Sequence, residues 1–587
     1  MQTSSQYVDE LVTKFFDLGL RDAFAVTGGA IAPFTSAIIR HGGINLHYFL
    51  NEQSAGIAAE SYSFVENRPS ICIVTSGPGV TNVLTATAAS WTNSSPVIFV
   101  SGQARSSDVI KLKSSQNRQI GNQHLPTEDI VSSIVKCCIE TTTTLDPAEV
   151  VKHLFHVAST GRPGPVWLSL PLDIQRSKNS VKIPLDQDHN KCDSTRKSLL
   201  SDFHESLNQN FLSAERPVIL VGNGARVSIV DILIFSRIHQ IPVLTTWPGM
   251  DLLAHNDPLY CGRPGSSPSS WSANLILTNA DSVLVLGARL DSAQIGYNSD
   301  EFLKQAHVIR VDIDNEEFSR IPFRENWENF VFDLREKNLD LFNVEKVSNP
   351  ISLDNWWGKI EGWKNNLSHA GSVPQELDNS LSTYDFLQNL NQISNIDLII
   401  TGSSGTCMEM FLQSWKVKVG QRIVNSCGLG SMGFGIAAAI GVSLHFPTQK
   451  ILCIESDGSA AMNLQDLVTI AFRSLPIKLV ILNSDGYKSI SLSQSRLGDP
   501  IHGSSRETGL GLPNFMELAK SLGIRSLDIS NQIDYDKIPE LLEDDLPALI
   551  NVSVSNIEEI LPRLVSKPNE FGVMITPPLD DLFPKLN

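Results

Sequence analysis

The chain has few cysteines and no pattern among them. The eight stand at positions 72, 137, 138, 192, 261, 407, 427 and 453, with no C-x-x-C pair and no alternation with histidine. That excludes the usual zinc spacings and a disulfide framework. Several lie in apolar runs such as 70–74 and 451–454, where cysteine reads as a small buried hydrophobe, so a reducing cytoplasmic setting is expected. Positive charge is scarce too: 46 Lys+Arg face 63 Asp+Glu, a formal net charge of -17. Without a concentrated basic surface, nucleic acid is not an expected partner. No apolar run is long enough to span a bilayer, so no membrane partner is expected either. The opening Met1-Gln-Thr-Ser-Ser-Gln lacks the basic-then-apolar order of a secretory signal. Short repeats and low-complexity tracts are also missing, so a repeat architecture is not expected.

What remains is globular: 42% hydrophobic and 19% charged residues over 587 positions, more than one hydrophobic core organises. Short, largely apolar runs without polar alternation recur at 71–74, 97–101, 218–222, 283–287, 398–402, 450–456 and 478–483. All but the first end in Gly, Ser or Asn, and each is followed by helical spacing. Strands without alternation are buried on both faces, so the fold class is α/β, with doubly wound parallel sheets covered by helices. Two polar stretches, 176–196 and the Trp-dotted 347–380, read as linkers. Three units follow, at 1–178, 195–346 and 380–587.

Chemistry concentrates first at Ser456-Asp457-Gly458-Ser459 and Asn483-Ser484-Asp485-Gly486-Tyr487, each at the end of an apolar run. Ends of parallel strands share one crevice, the usual ligand position. A carboxylate at one strand end and oxygen ligands at the next can hold Mg2+, which prefers octahedral oxygen coordination. Small residues after Asp457 let backbone N–H groups approach a phosphate.

Asp457 and Ser484 are 27 positions apart, and here the sequence resembles the G-D-G then N-N signature of thiamine-diphosphate enzymes, acetolactate synthases and pyruvate decarboxylases among them. The resemblance implies diphosphate contacts at Ser456, Gly458, Ser459 and Tyr487. It implies metal ligation by the Asp457 carboxylate, Ser484 and the Gly486 carbonyl. Ser456 replaces the family's first Gly and Ser484 its second Asn, and a hydroxyl is a shorter, weaker ligand than an amide oxygen. In the first unit, Asn51-Glu52-Gln53 and the helical pattern after it resemble the family's H-E-Q helix, which makes Glu52 the expected proton-transferring carboxylate. Flanking loops agree: Thr27-Gly28-Gly29-Ala30, and Thr75-Ser76-Gly77-Pro78-Gly79-Val80-Thr81-Asn82. From these the resemblance assigns cofactor contacts to Gly28, Gly29, Thr75, Gly77, Pro78 and Asn82. Gln123 is the expected cofactor-facing glutamine. His124 stands where relatives carry Glu, and a lone loop histidine reads as solvated. In the third unit, Gly428-Leu-Gly430-Ser-Met432-Gly433-Phe-Gly435 resembles the acetolactate-synthase G-L-G-T-M-G loop. Met432 is expected to brace the cofactor's bend and the Gly430 carbonyl to accept its amino hydrogen.

In the middle unit, Gly222-Asn-Gly224-Ala-Arg226 is by itself a weak dinucleotide signal. Gly287-Ala-Arg289-Leu-Asp291 and Asp312-Ile-Asp314 resemble FAD-binding segments of acetolactate synthases. Gly222, Arg226, Gly287, Arg289 and Asp312 are therefore candidates for FAD, or for an ADP-like ligand in its place.

The implied reaction is decarboxylation of a 2-oxo acid such as pyruvate, with carboligation of the two-carbon unit to an acceptor carbonyl. Ser493 stands where acetohydroxyacid synthases carry a substrate-gating Trp, and Asn122 where they carry Phe. The segments 485–490, 245–251 and 578–584 look like synthase-like proteins of surface-polysaccharide and branched-sugar pathways, so a keto-sugar or other polar acceptor is expected. Ordinary acetolactate synthesis, simple decarboxylation and a catalytically impaired scaffold stay open. A homo-oligomer, dimer or tetramer, is implied, because the family's cofactor sits between the first unit of one subunit and the third of another.

Overall fold

The computed structural model describes residues 6–141, 145–178, 194–336, 340–342, 351–367, 370–375, 377–378, 380–402, 404–571 and 574–585. Its strands form three wholly parallel sheets, plus a small antiparallel pair, Lys567–Pro568 with Met574–Ile575. The first sheet contains β1 (Asp22–Ala25), β2 (Asn45–Tyr48), β3 (Ser70–Val74), β4 (Val97–Gln103), β5 (Cys138–Glu140) and β6 (Val166–Pro171), ordered β2-β1-β3-β4-β6-β5. The second contains β7 (Pro217–Val221), β8 (Val243–Thr245), β9 (Ser282–Leu286), β10 (His307–Asp312) and β11 (Trp327–Val331), ordered β11-β10-β9-β7-β8. The third contains β12 (Leu398–Thr401), β13 (Arg422–Val424), β14 (Ile451–Ser456), β15 (Ile477–Asn483), β16 (Arg525–Ile529) and β17 (Ala548–Ser553), ordered β13-β12-β14-β15-β17-β16. Central strands β3, β4 and β6 are buried at every residue, as their unbroken apolar runs require.

In each sheet the second strand pairs outside the first and the third pairs on the other side. The connections therefore diverge between β1 and β3, between β7 and β9, and between β12 and β14. Such a switch point leaves a crevice at the carboxyl ends of its strands. All three crevices carry residues singled out in the sequence: Gly28 and Thr75, Gly222 and Gly287, and Asp457.

Six helices matter for the site: α1 (Glu52–Glu66), α2 (Pro78–Thr92), α3 (Asp354–Asn366), α4 (Phe434–His445), α5 (Asp457–Ala460) and α6 (Lys488–Leu497). Helices α1 and α4 carry small residues on nearly every side and pack directly together, joining the first and third units in one core. Ser61 Oγ donates to the Ala438 carbonyl at 3.0 Å. A Cβ on Gly441 would fall 2.2 Å from the Ala58 carbonyl oxygen, so the backbones meet closely here.

The Trp-dotted stretch read as a linker contains α3, which docks on the middle unit. Trp356 is 2% exposed and donates its indole N–H to the Pro217 carbonyl at 3.2 Å, and Trp357 donates to the Gln240 carbonyl at 2.7 Å. Its Trp spacing marked a packing face. The C-terminal tail also returns to this unit, with Leu579 buried in the same core as Trp356 and Val283. The other expected linker lies largely outside the described residues. Six cysteines, 72, 137, 138, 261, 427 and 453, are free thiols. Among the described residues no helix is long and apolar enough to cross a membrane.

Candidate active site

Around Glu52 the first half-site is built from strand ends and helix starts. Asn51, which replaces the family's His, caps α1 by accepting the Gln53 N–H at 2.8 Å. This sets Glu52 in the first turn, where the helix dipole favours a carboxylate. Asn82, on α2, donates to Glu52 Oε2 at 3.0 Å. Gly77 caps α2 at φ 61°, and a Cβ there would fall 2.8 Å from the Gln123 carbonyl oxygen, while Pro78 opens the helix. A side chain at 77 would both strain the turn and collide with the 118–124 segment. Gly28 packs on the Thr75 side chain, and Gly29 borders open space. Gln123 is exposed, in a left-handed conformation at φ 57°. His124, expected to be solvated, is 1% exposed and its Nδ1 has no hydrogen-bond partner. Burial holds its pKa below the ordinary histidine range.

The second half-site gathers the clamp. Asp457, wholly buried at the start of α5, accepts the N–H of Gly458 and, through Oδ2, the N–H of Gly486, each at 2.8 Å. Ser484 Oγ donates to the Gly486 carbonyl at 3.4 Å, so the three expected metal ligands converge. Gly486 takes φ 148°, and a Cβ on it would fall 1.9 Å from the Ser504 carbonyl oxygen. Tyr487 lies over Gly458: a Cβ there would be 2.4 Å from its ring and 3.7 Å from Met432 Cε. Ser459 Oγ accepts the Gly433 N–H at 2.9 Å, tying the Gly430–Met432 turn to the clamp. Ser456 caps α5, and Gly430 stands at φ 68°.

Burial pushes Asp457 up to about 6, although three backbone N–H groups pull it down. A fully buried carboxylate whose hydrogen bonds come from neutral donors is under-compensated, and a divalent cation in contact with it would supply the missing charge. Among the described residues no group of three or more His, Cys, Asp or Glu could hold a metal. A cation here therefore rests on one carboxylate plus hydroxyl and carbonyl oxygens, a donor set that suits Mg2+. Glu455, which sequence reasoning passed over inside its strand, is buried too; it accepts the Gly435 N–H at 2.8 Å and is pushed up to about 7 by burial.

Where the three units meet there is a cavity of about 250 Å³, lined by Thr92, Asn93, Gly224, Arg289, Asp312 and Cys427 among others. Gly287 and Arg226 also line it, while Gly222 sits behind the lining, against the Gly287 carbonyl. Gly224 donates its N–H to that carbonyl at 3.0 Å. These glycines let two strand-end loops touch. The cations are paired: Arg226 with Asp251, and Arg289 with Asp291 at 3.0 Å. Burial pushes Asp312 up to about 6. Asp251 is the residue sequence reasoning missed here. Burial alone would raise its pKa, but Arg226 and Arg422 hold it below the carboxylate range. Arg422 donates to Asp251 at 2.8 Å and to the Phe64 carbonyl at 3.3 Å, so one guanidinium joins all three units. No local pattern announces a partnership spanning 171 positions.

Three family models match the chain in order. They describe the thiamine pyrophosphate enzyme N-terminal TPP binding domain over residues 7–125, its central domain over 205–326 and its C-terminal TPP binding domain over 403–552. Similar proteins include the acetolactate synthase large subunit of Cyanidium caldarium, 30% identical over 93% of this chain and 92% of that protein. The acetolactate synthase large subunit of Buchnera aphidicola is 28% identical over 94% and 96%, respectively. The acetolactate synthase isozyme 1 large subunit of Escherichia coli (strain K12) is 27% identical over 94% and 95%. With three matched domains, a 30% identical relative covered nearly end to end and both half-sites at sheet switch points, the chain belongs to the acetolactate-synthase-like family of thiamine-diphosphate-dependent, carbon–carbon bond-forming enzymes.

Proposed function

We propose that the protein decarboxylates a 2-oxo acid such as pyruvate and joins the two-carbon unit to the carbonyl of a second 2-oxo acid, the acetolactate synthesis for which its relatives are named. The observation that carries this reading is the pair of half-sites: Glu52 held by Asn82, and Asp457 held beside Ser484 and Gly486. Thiamine diphosphate, when bound, supplies the nucleophilic carbon and the electron sink that decarboxylation needs. Asp457, Ser484 Oγ and the Gly486 carbonyl would hold Mg2+. Backbone N–H groups around Gly458 and Ser459 would face the diphosphate. Glu52 holds and releases a proton at Oε1, while Asn82 fixes Oε2. Met432 and Tyr487, meeting across Gly458, give the site an apolar wall. Gly28, Gly29, Thr75, Gly77 and Pro78 form the opposing surface, with Gln123 at its edge. The cavity between the units would take FAD or an ADP-like ligand, for which Asp312 offers a hydroxyl acceptor at the end of β10. The assembly would be a homodimer or homotetramer, with each site shared by two subunits.

A second reading, a larger polar acceptor such as a keto-sugar, is favoured by Ser493. It is exposed on α6, donates only to the Ser489 carbonyl at 2.7 Å, and is followed by Gln494 bonded to His502. That face presents hydroxyl and amide groups where an indole would fill the space. A scaffold role is opposed by the intact Glu52–Asn82 pair. Labelled pyruvate incubated with Mg2+ and thiamine diphosphate, alone and with panels of 2-oxo acids and keto-sugars, separates these readings. Acetolactate from pyruvate alone supports the first, and label entering a keto-sugar supports the second. Calorimetry that detects no thiamine diphosphate binding would sink both.

A further inference from the structure

The cavity between the units and the Met432 loop share one side chain, Asn93. It follows the last residue of α2 and lines the cavity. Its amide makes three hydrogen bonds, none to a neighbour in sequence. Nδ2 donates to Glu60 Oε1 and to Ser426 Oγ, each at 2.7 Å, and Oδ1 accepts the Gly428 N–H at 3.2 Å. Glu60 belongs to α1 of the first unit, whereas Ser426 and Gly428 belong to the third. Approach is close enough that a Cβ on Gly428 would lie 2.8 Å from Asn93 Oδ1 and 3.0 Å from Thr92 Cβ. From Gly428 the chain runs directly to Gly430, whose N–H returns to the Ser426 carbonyl at 3.0 Å, and on to Met432 against Gly458. On the cavity side, Arg289 of the middle unit donates to the Thr92 carbonyl at 2.8 Å, and Cys427 stands in the lining. Helix α2 carries Asn82 in its first turns, about 16 Å away at 1.5 Å per residue.

We propose that Asn93 is a positioning residue that sets the Gly428–Gly433 turn, and with it Met432, according to whether the cavity between the units is filled. Ligand binding in the cavity and thiamine diphosphate binding at the Asp457 half-site are then coupled, each tightening the other by the same factor. The physical warrant is that Asn93, its neighbour Thr92 and Cys427 line the cavity, while the Asn93 amide ties Ser426 and Gly428, at the start of the turn, to Glu60 on α1. Ordering Thr92, Asn93 and Cys427 therefore orders the turn without any direct contact to the cofactor. The inference rests on the assignment of thiamine diphosphate to the Asp457 half-site.

The test uses the full-length protein, with ADP and FAD as cavity probes. Hydrogen exchange of the amides of 426–433 is followed first, without thiamine diphosphate. In the unmodified protein at least one probe slows exchange there, while in Asn93→Ala the probe still binds by calorimetry and exchange stays fast. Calorimetric titration with thiamine diphosphate and Mg2+ then gives an affinity about five- to tenfold higher with the probe bound, a ratio that falls to one in Asn93→Ala. Gly428→Ala, which crowds the Asn93 oxygen without removing it, reproduces the loss. Failure of both probes to slow exchange in the unmodified protein, or equal slowing in Asn93→Ala, overturns the inference. The exchange arm reads this outcome even if thiamine diphosphate does not bind, so it is separable from failure of the functional reading.

Discussion

Ser484 is the residue at which the clamp departs furthest from its family, and its cost is testable. A serine hydroxyl reaches less far than an asparagine amide, and here it is turned to the Gly486 carbonyl at 3.4 Å. Ser484→Asn is expected to raise Mg2+-dependent thiamine diphosphate affinity about tenfold by calorimetry; an unchanged affinity argues that water already completes the shell. Glu60 gives a second prediction at this scale. It is 2% exposed, its Oε2 has no partner, and burial pushes it up to about 8. The folded state therefore keeps a proton that the unfolded chain releases near the ordinary glutamate range. Stability is full below that range and declines as pH rises towards 8, by up to about 1.4 kcal/mol per pH unit. Glu60→Gln, which keeps the acceptor for Asn93, should flatten this dependence. Thermal unfolding between pH 5 and 8 measures it, and parallel profiles for both proteins would dismiss the effect.

At the level of elements, the crossing of α1 and α4 holds the first and third units together. Small residues allow it, and Gly441→Ala puts a methyl 2.2 Å from the Ala58 carbonyl oxygen, where backbone on both sides resists. Overpacking of this kind costs about 1–3 kcal/mol. Denaturant unfolding of Gly441→Ala should show a lower midpoint, and an unaltered midpoint would mean the helices slide apart freely. Helix content near the site was readable because helical spacing is a local property, and Asn51, Gly77 and Ser456 each sit immediately before the helix that follows. Helix α3 was not, because a polar segment dotted with Trp gives no clean period, and only contact with Pro217 and Gln240 makes it part of a domain.

For the whole molecule, Glu52 bonds to Asn82 within the first unit and Asp457 to Gly486 within the third, so the two half-sites are separately assembled. If sites are shared between subunits, mixing Glu52→Gln with Asp457→Asn under exchange conditions restores activity. Each mixed dimer then has one intact site and one doubly altered site, giving about a quarter of normal turnover at equal amounts. Each variant alone is expected to be inactive, and no recovery on mixing would place the site within one chain. The site residues themselves were legible in the sequence to an uneven degree. Asp457, Ser484 and Gly486 were singled out because they stand at neighbouring strand ends and because the resemblance to the thiamine-diphosphate signature implies metal ligation there, both of which rest on order along the chain. Asp251, Glu455 and Asn93 were passed over because their roles come from burial and from partners remote in sequence, such as Arg422 for Asp251 and Gly428 for Asn93.

The sequence by itself determined the class of fold, three parallel sheets, and the residues at their switch points, because apolar runs, caps and strand-end glycines act through neighbours along the chain. Only the tertiary structure decided that His124 is buried, that the middle-unit glycines serve loop-to-loop contact, and that Arg422 and Asn93 tie the units together. Those outcomes depend on which groups lose water and which surfaces meet, and no local pattern encodes either.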